Sequence, residues 1–560
     1  MLCRKVGYNE GFDVMKKTKF IHGLLVLGLV LGCLAGVMTA VRAIPSTPVA
    51  AATAEDNTSA RTITLHKYTE SATPSTDKLT GTTADASKVP SDSKPLQGIK
   101  FSVTKVEKVS GKTLSAADSS TYTVDTSFTA KTVTSDANGK AVANVGTGKA
   151  ADGYYLVVEK ASKLVATAAA PFIIHLPQTT KNASTGDMTL LYDVNVYPKN
   201  KVDDDAVALN PEKFVQDAQA AGAADGEAPE VSATSTMQGG MIVWDLVVTR
   251  PADIQTTDDS GKTTYASKLI LSDPLITKNL TYGGYSYIYM LAPDGTKTKL
   301  ETTDYDDSEA PVGKLKVDGD YSVAAFALTD AGIKKFAAQP EGTKLVIPVA
   351  TTITADTTGK IVNTFDTYYK GTATTQVIHE HSGTSKPLTD GATDEMKPTK
   401  PTSADTSAPV VYTGNVDIQK TDEDGNHLAN ATFTLYKTEA DAKAGSNPVK
   451  DGNGRVMTAV SGSDGVAQFV GLYVDPTTQQ QDYYAVESDA PVGYDLNGGV
   501  FKVTAKRDTS VDATVKDHDN AFPNLPLTGK NGQLLLYGLA GLLIIIGGAG
   551  VVIAKRRHAA

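Results

Sequence analysis

The chain has 560 residues, 41% of them hydrophobic and 21% charged, which is too long for one core and ordinary enough in composition for three or four folded units. Its formal charge of -10 comes without a basic run outside the termini, so nothing is present to neutralise a phosphate backbone and nucleic acid is excluded as a partner. The charge serves solubility.

The first 43 residues form an expected export signal. Lys16, Lys17 and Lys19 precede the apolar run HGLLVLGLVLGCLAGVMTAV, and a small-residue site ends at Ala43; the true start is possible at Met15. Both cysteines, Cys3 and Cys33, fall in this removable part. The exported chain is therefore expected to lack disulfides, thiolate metal sites and a cysteine nucleophile.

Strand signals follow from residue 55 onward. Val, Thr and Tyr alternate in ITLHKYTE, KFSVTKVEKV, YLVVEK, MIVWDLVVTR, KLKVDG, VDIQKT, ATFTLYK and FKVTAK, and DANG, APDG, DEDGN and SGSDG turns interrupt them. That pattern predicts antiparallel β-sandwiches. PEKFVQDAQAAGAADG and TDAGIKKFAAQ are expected to form a few helical turns beside the sheets. DVNVYPKN, 193–200, is an alternating strand that Pro198 ends, since proline cannot donate to a ladder, with Lys199 turned outward at a junction.

The chain also repeats. ITLHKYTE, PLQGIKFSVTKV, SDANGKAVANV and GYYLVVEK correspond in order to VDIQKTDEDG, HLANATFTLYK, SGSDGVAQFVGL and DYYAVESDAPVGY, so two copies of one domain are implied. The expected organisation is a first domain over 55–199, a middle one over 200–390, a polar Pro-containing linker over 391–409 and a last domain over 410–524. HEH at 379–381 sets two histidines on one side of an extended segment, without an obvious third ligand, and solvent exposure is expected there rather than a metal. Trp244 is expected in a core. No nucleophile elbow, phosphate loop or zincin motif is present, so neither a cofactor nor an enzymatic role is expected. A hydrolase built on a carboxylate pair in a cleft is the distant alternative.

The C-terminal end carries the most specific pattern. An apolar run over 534–554 is long enough to span a bilayer, and the basic tail 555–560, with Lys555, Arg556 and Arg557, holds its end inside. Leu525, Pro526, Leu527, Thr528 and Gly529 just before it resemble the LPxTG sorting signal of Gram-positive cell-wall proteins. The last repeat, through QKTDEDGNHLANATFTLY and YYAVESDAPVGY, resembles the collagen-adhesin B-type domain, an immunoglobulin-like sandwich, and the pilin E-box. DVNVYPKN resembles the pilin motif WxxxVxVYPK, with Leu190 where the tryptophan would stand. Taken together the chain resembles a sortase-assembled major pilin: all-β, with tandem immunoglobulin-like domains between the signal peptide and a transmembrane helix.

That resemblance implies a chemistry. A sortase would cut between Thr528 and Gly529 and hold the threonine carbonyl as a thioester, which Lys199 of another subunit would resolve as an amide. It also implies internal lysine–asparagine isopeptide bonds, each promoted by a buried carboxyl group that polarises the carboxamide. In the last domain the matching residues are Lys420, Glu487 and Asn520, with Asn524 competing; in the middle domain they are Lys213, Asn363 and an acid that is either Asp273, preferred, or Asp245. The first domain offers Lys67, Glu159 and Asn200, where the bond is absent or forms only after polymerisation. The implied partners are pilin-type and housekeeping sortases, further copies of the chain, tip or base pilins, peptidoglycan, and a host surface or other bacteria. The alternative is a monomeric wall-anchored adhesin, which needs Thr528 but not Lys199.

Overall fold

A computed structural model describes residues 56–520 apart from 74–77, 182–185, 187, 222–226, 286, 308–319, 355–358, 375, 384–397, 403–404 and 508–510. The signal peptide, KLKVDG, Asn524, the LPLTG pentapeptide, the apolar run 534–554 and the basic tail lie outside the described residues. No described helix is long and apolar enough to cross a membrane.

In the first module, strand Ala60–His66 lies between Lys140–Thr147, antiparallel to it, and Asp193–Val196, parallel to it. The opposing sheet centres on Lys100–Lys108, which pairs with Gly153–Glu159, and Phe172–Leu176 follows. Alternation sends Ile63, Leu65, Phe101, Val103, Tyr155, Val157 and Val194 into one core. The last module repeats this arrangement: Gly414–Asp422 lies between Val466–Leu472, antiparallel, and Val511–Asp517, parallel, over a sheet containing Thr432–Tyr436, Gln480–Asp489 and Val500–Lys506. The internal repeat is thus a repeat of strand pairing. Its turns are equivalent too. Gly139 and Gly465 sit at φ 73° and 74°, and a Cβ would come within 2.2 Å of the Lys67 carbonyl oxygen and 2.6 Å of that of Lys420. Only glycine fits either turn without a shift of backbone.

The middle module is built on Met241–Thr249, paired with Lys344–Ile353 and with Glu212–Gln216, against a second sheet in which Lys268–Ile276 lies between Tyr321–Leu328 and Asp366–Lys370. Trp244 is fully buried and donates its indole N–H to Thr351 Oγ1 at 2.9 Å. TDAGIKKFAAQ contains the helix Asp330–Ala337, whose Ile333 and Phe336 pack into this core. PEKFVQDAQAAGAADG departs from expectation, because Glu212–Gln216 is a strand. Its helical spacing loses to tertiary pairing, which buries Lys213 and Val215 on one side of the sheet.

Two further expectations fail here. Much of the expected linker is part of the middle module, since Thr399 is held by Asp366 and the Ser407 hydroxyl donates to the Gly383 carbonyl, and the start of the expected last domain joins it as well, Val410–Tyr412 pairing with Ala233–Ser235 and Lys360–Val362. HEH is also not exposed. It lies in strand Ile378–His381, and His379, Glu380 and His381 are all buried. Polar composition suggested solvent, but His379 and Glu380 hydrogen-bond within the fold and His381 lies beside the Asp366 and Asp405 carboxylates at 3.4 and 3.6 Å.

Candidate cross-linking and sorting sites

Each module buries one lysine against a carboxyl group. In the first, Lys67 follows the end of strand Ala60–His66, its backbone N–H bonded to the Gly139 carbonyl at 2.7 Å. Its side chain is fully buried and its Nζ lies 2.9 Å from Glu159 Oε2. The other oxygen of Glu159 accepts the Asn200 Nδ2 at 2.7 Å, so one carboxyl group holds both the amine and the carboxamide. Burial pushes the Lys67 pKa down, which favours the neutral amine.

In the middle module Lys213 Nζ lies 2.7 Å from Asp273 Oδ2, with neither side chain exposed, and donates to the Thr364 carbonyl at 3.2 Å. The rings of Trp244 and Phe365 stand 5.6 and 5.9 Å from it. This dry, aromatic surround draws the Lys213 pKa down to about 8, and the same burial raises that of Asp273. Asn363 is buried beside Asp273. Asp245 is not part of the group. It stands opposite Phe214 in the ladder, whereas Lys213 stands opposite Leu246, so the pleat sends it to the other face, where the Gln216 amide meets both its oxygens at 3.1 and 3.0 Å.

In the last module Lys420 Nζ lies 3.1 Å from Glu487 Oε1 and also contacts Asp517 Oδ1, all three side chains being buried. Burial raises the Glu487 pKa even though the Asn497 backbone N–H donates to its other oxygen at 2.9 Å. Asn520, the residue expected here, is exposed past the end of strand Val511–Asp517, its backbone N–H bonded to the Gly493 carbonyl. The correction has a simple geometric basis. In the parallel ladders the residue opposite the position two beyond the lysine is Asn200 in the first module, against Thr69, and Asp517 in the last, against Asp422. Asp517 was legible, because alternation from Val515 points it inward.

Lys199 emerges as expected after a proline, but the chain does not turn away from the sheet. Lys199 and Asn200 pair with Tyr68 and Thr69, and Lys199 is half-buried. Its neighbour Tyr197 is buried and stacks on His66 at 4.6 Å between ring centroids, and the His66 Nε2 meets Asn195 Oδ1 at 2.8 Å. Among the described residues the Lys199 amine has no ion pair or hydrogen bond. The three buried lysines are held in place; this one is available.

Residues 58–201 match the Gram-positive pilin subunit D1, N-terminal domain; residues 414–519 match a prealbumin-like fold domain; and residues 519–559 match the LPXTG cell wall anchor motif. A fimbrial subunit type 2 of Actinomyces naeslundii is 26% identical over 435 residues, spanning 72% of this chain and 70% of the relative. A fimbrial subunit type 1 of Actinomyces viscosus is 40% identical over 97 residues, 16% of this chain and 18% of the relative. Among solved structures, the major pilin SpaD of Corynebacterium diphtheriae is similar over 83% of this chain and 99% of its own, at 20% identity and a TM-score of 0.36. The major pilin RrgB of Streptococcus pneumoniae is similar over 82% of this chain and 100% of its own, at 16% identity and a TM-score of 0.39.

Repeated sandwich modules with a wall-anchor motif define the class as a cell-wall-anchored surface protein of Gram-positive bacteria. Within that class the chain carries a Gram-positive pilin N-terminal domain at residues 58–201 and is similar to fimbrial subunits of Actinomyces.

Proposed function

We propose that this chain is a pilus shaft subunit joined to its neighbours through Lys199 and Thr528 and stiffened by one covalent bond inside each module. In the polymerising step the sortase cysteine breaks the Thr528–Gly529 bond and holds the threonine carbonyl as a thioester. The Lys199 amine of another subunit attacks that carbonyl, an amide forms and the thiol leaves. The observation that carries this reading is the contrast in lysine environments: Lys67, Lys213 and Lys420 are buried on carboxyl groups, while Lys199 in the YPK stretch is half-buried and has no ion pair among the described residues.

Inside the modules, burial supplies the conditions for a lysine to acylate itself. The neutral amine of Lys213 attacks the Asn363 carboxamide while Asp273 carries a proton to the departing nitrogen, and ammonia leaves. Lys67, Glu159 and Asn200 take the same roles in the first module. In the last module Lys420 attacks the Asp517 carboxyl beside Glu487, and water leaves instead. The chain then acts as a structural element, its partners being the sortases that process it, further copies of itself and the peptidoglycan, with tip or base pilins, a host surface or other bacteria as contacts of the finished fibre.

The test is an immunoblot of wall extracts boiled in detergent. The wild-type strain is expected to show a high-mass ladder, and Thr528→Ala to leave an unpolymerised, membrane-bound chain absent from the peptidoglycan fraction. A wild-type extract that runs only as monomer overturns the shaft reading.

A further inference from the structure

The HEH strand is buried in full, yet it holds none of the residues to which the middle-module cross-link has been assigned. Its three polar side chains reach two separate segments, Glu380 one and the two histidines the other. Glu380 accepts the backbone N–H groups of Leu209 and Asn210 at 2.7 and 3.2 Å. His379 Nε2 lies 2.7 Å from Asp366 Oδ1, and His381 Nδ1 lies 3.4 Å from the same atom. Asp366 in turn accepts the Thr399 backbone N–H and hydroxyl at 2.8 and 2.9 Å.

The placement of these contacts in the chain is symmetrical about the bond. Leu209 and Asn210 lead directly into the strand that carries Lys213, and Asp366 follows Asn363 by three residues. Asn210 has a φ of 49°, a left-handed conformation that a non-glycine residue adopts at a cost of about 1 kcal/mol or more and keeps only where its surroundings hold it. The Glu380 carboxylate, gripping two successive N–H groups, is what holds it. On the other side Asp366 stands opposite Ser272 in the ladder, next to the acid Asp273, so the imidazole contacts fix the segment that presents the carboxamide.

We propose that strand Ile378–His381 is the positioning element of the middle-module cross-link, Glu380 setting the Lys213 side and His379 and His381 setting the Asn363 side through Asp366. The inference rests on the proposed Lys213–Asn363 bond. It adds that the bond's rate depends on residues that touch neither reacting atom. Two groups on different strands must meet within bonding distance, and a misplacement of about 1 Å costs on the order of a hundredfold in such reactions.

The full chain, synthesised in a cell-free system, arrested, sampled over time, quenched in acid and digested, yields the linked Lys213–Asn363 peptide as the readout. The Lys420–Asp517 peptide from the same molecules reports on synthesis and on folding of the last module, and protease resistance of the middle module reports on its own folding. Glu380→Ala is expected to slow the first peptide by about tenfold or more while the second appears at the wild-type pace. Glu380→Gln, whose carboxamide oxygen still accepts an N–H group, is expected to restore the rate to within about threefold. His381→Gln is the second variant: should Glu380→Ala leave the middle module open to protease, a slowed Lys213–Asn363 peptide in His381→Gln sustains the proposal. Formation at the wild-type pace in Glu380→Ala and His381→Gln, or equal slowing in the Ala and Gln variants of Glu380, overturns it. Absence of the linked peptide from the wild-type chain overturns the cross-link itself, a separate outcome.

Discussion

Asp517→Ala removes the acyl partner of Lys420 and leaves Glu487 in place, so it isolates the covalent contribution to the last module. The bond would span 97 residues of sequence, and closing a loop near 100 residues lowers the entropy of the unfolded chain by an amount worth about 4.7 kcal/mol at 25 °C. In a module of this size each kcal/mol moves the melting temperature by about 4–8 °C, so the variant is expected to melt roughly 20–40 °C below the wild type. The loss of a buried partner for Lys420 acts in the same direction. Residues 410–524 suit the measurement, because the core of this module is drawn almost entirely from its own strands. Intact mass supplies the chemistry. The wild type is expected to fall short of its sequence mass by one water, Asp517→Asn by one ammonia, and Asn520→Ala by one water still. A wild-type domain at full mass, a full mass restored by Asn520→Ala, or a melting point for Asp517→Ala within a few degrees of wild type would each refute the reasoning.

Lys199→Arg is expected to abolish the pilus ladder while the subunit still reaches the wall as monomer through Thr528, since a guanidinium does not become a nucleophile near neutral pH; a ladder of normal length assigns the acceptor to another lysine. The Lys213–Asn363 bond is expected to form faster as pH rises through about 8, because burial brings the neutral amine within reach more than two units below a free lysine, and to slow again once Asp273 loses its proton; a pH-independent rate in quenched time courses contradicts this. Asp245, raised to about 7 by burial, binds a proton in the fold that the unfolded chain has released above its ordinary value near 4, so its contribution to stability falls as pH rises from about 4 to 7. Asp245→Asn is expected to flatten that dependence and to stabilise the middle module at neutral pH by at most about 4 kcal/mol, as read from denaturant melts at several pH values. Gly465→Ala is expected to destabilise the last module by about 1 kcal/mol or more, since the turn needs a positive φ and the added carbon meets the Lys420 carbonyl; an unchanged melt would refute this.

What the sequence determined by itself is whatever local period and order carry. Alternation identified the strands, the recurrence of four motifs in order identified two copies of one sandwich, and the order of pentapeptide, apolar run and basic tail identified the wall anchor. Lys67 and Lys420 stand at equivalent places in the two repeated copies, whereas Lys213 came only from the resemblance to pilins, its segment having been expected to be helical. What only the tertiary structure decided depends on which strands pair and in what register. Asp245 and Asp273 both lie in strands buried on both faces, where alternation cannot tell one side from the other, and the ladder opposite Lys213 settles which acid it meets. Asp517 takes the place expected of Asn520 because a parallel pairing over a sequence distance of 97 residues brings it to Lys420. The burial of HEH and the capture of Thr399 and Val410–Tyr412 by the middle module rest on hydrogen bonds to segments far away in the chain. Polar residues read as solvated until such partners are known, because burial of a polar group is tolerated only where a distant strand supplies the bond that water would have made.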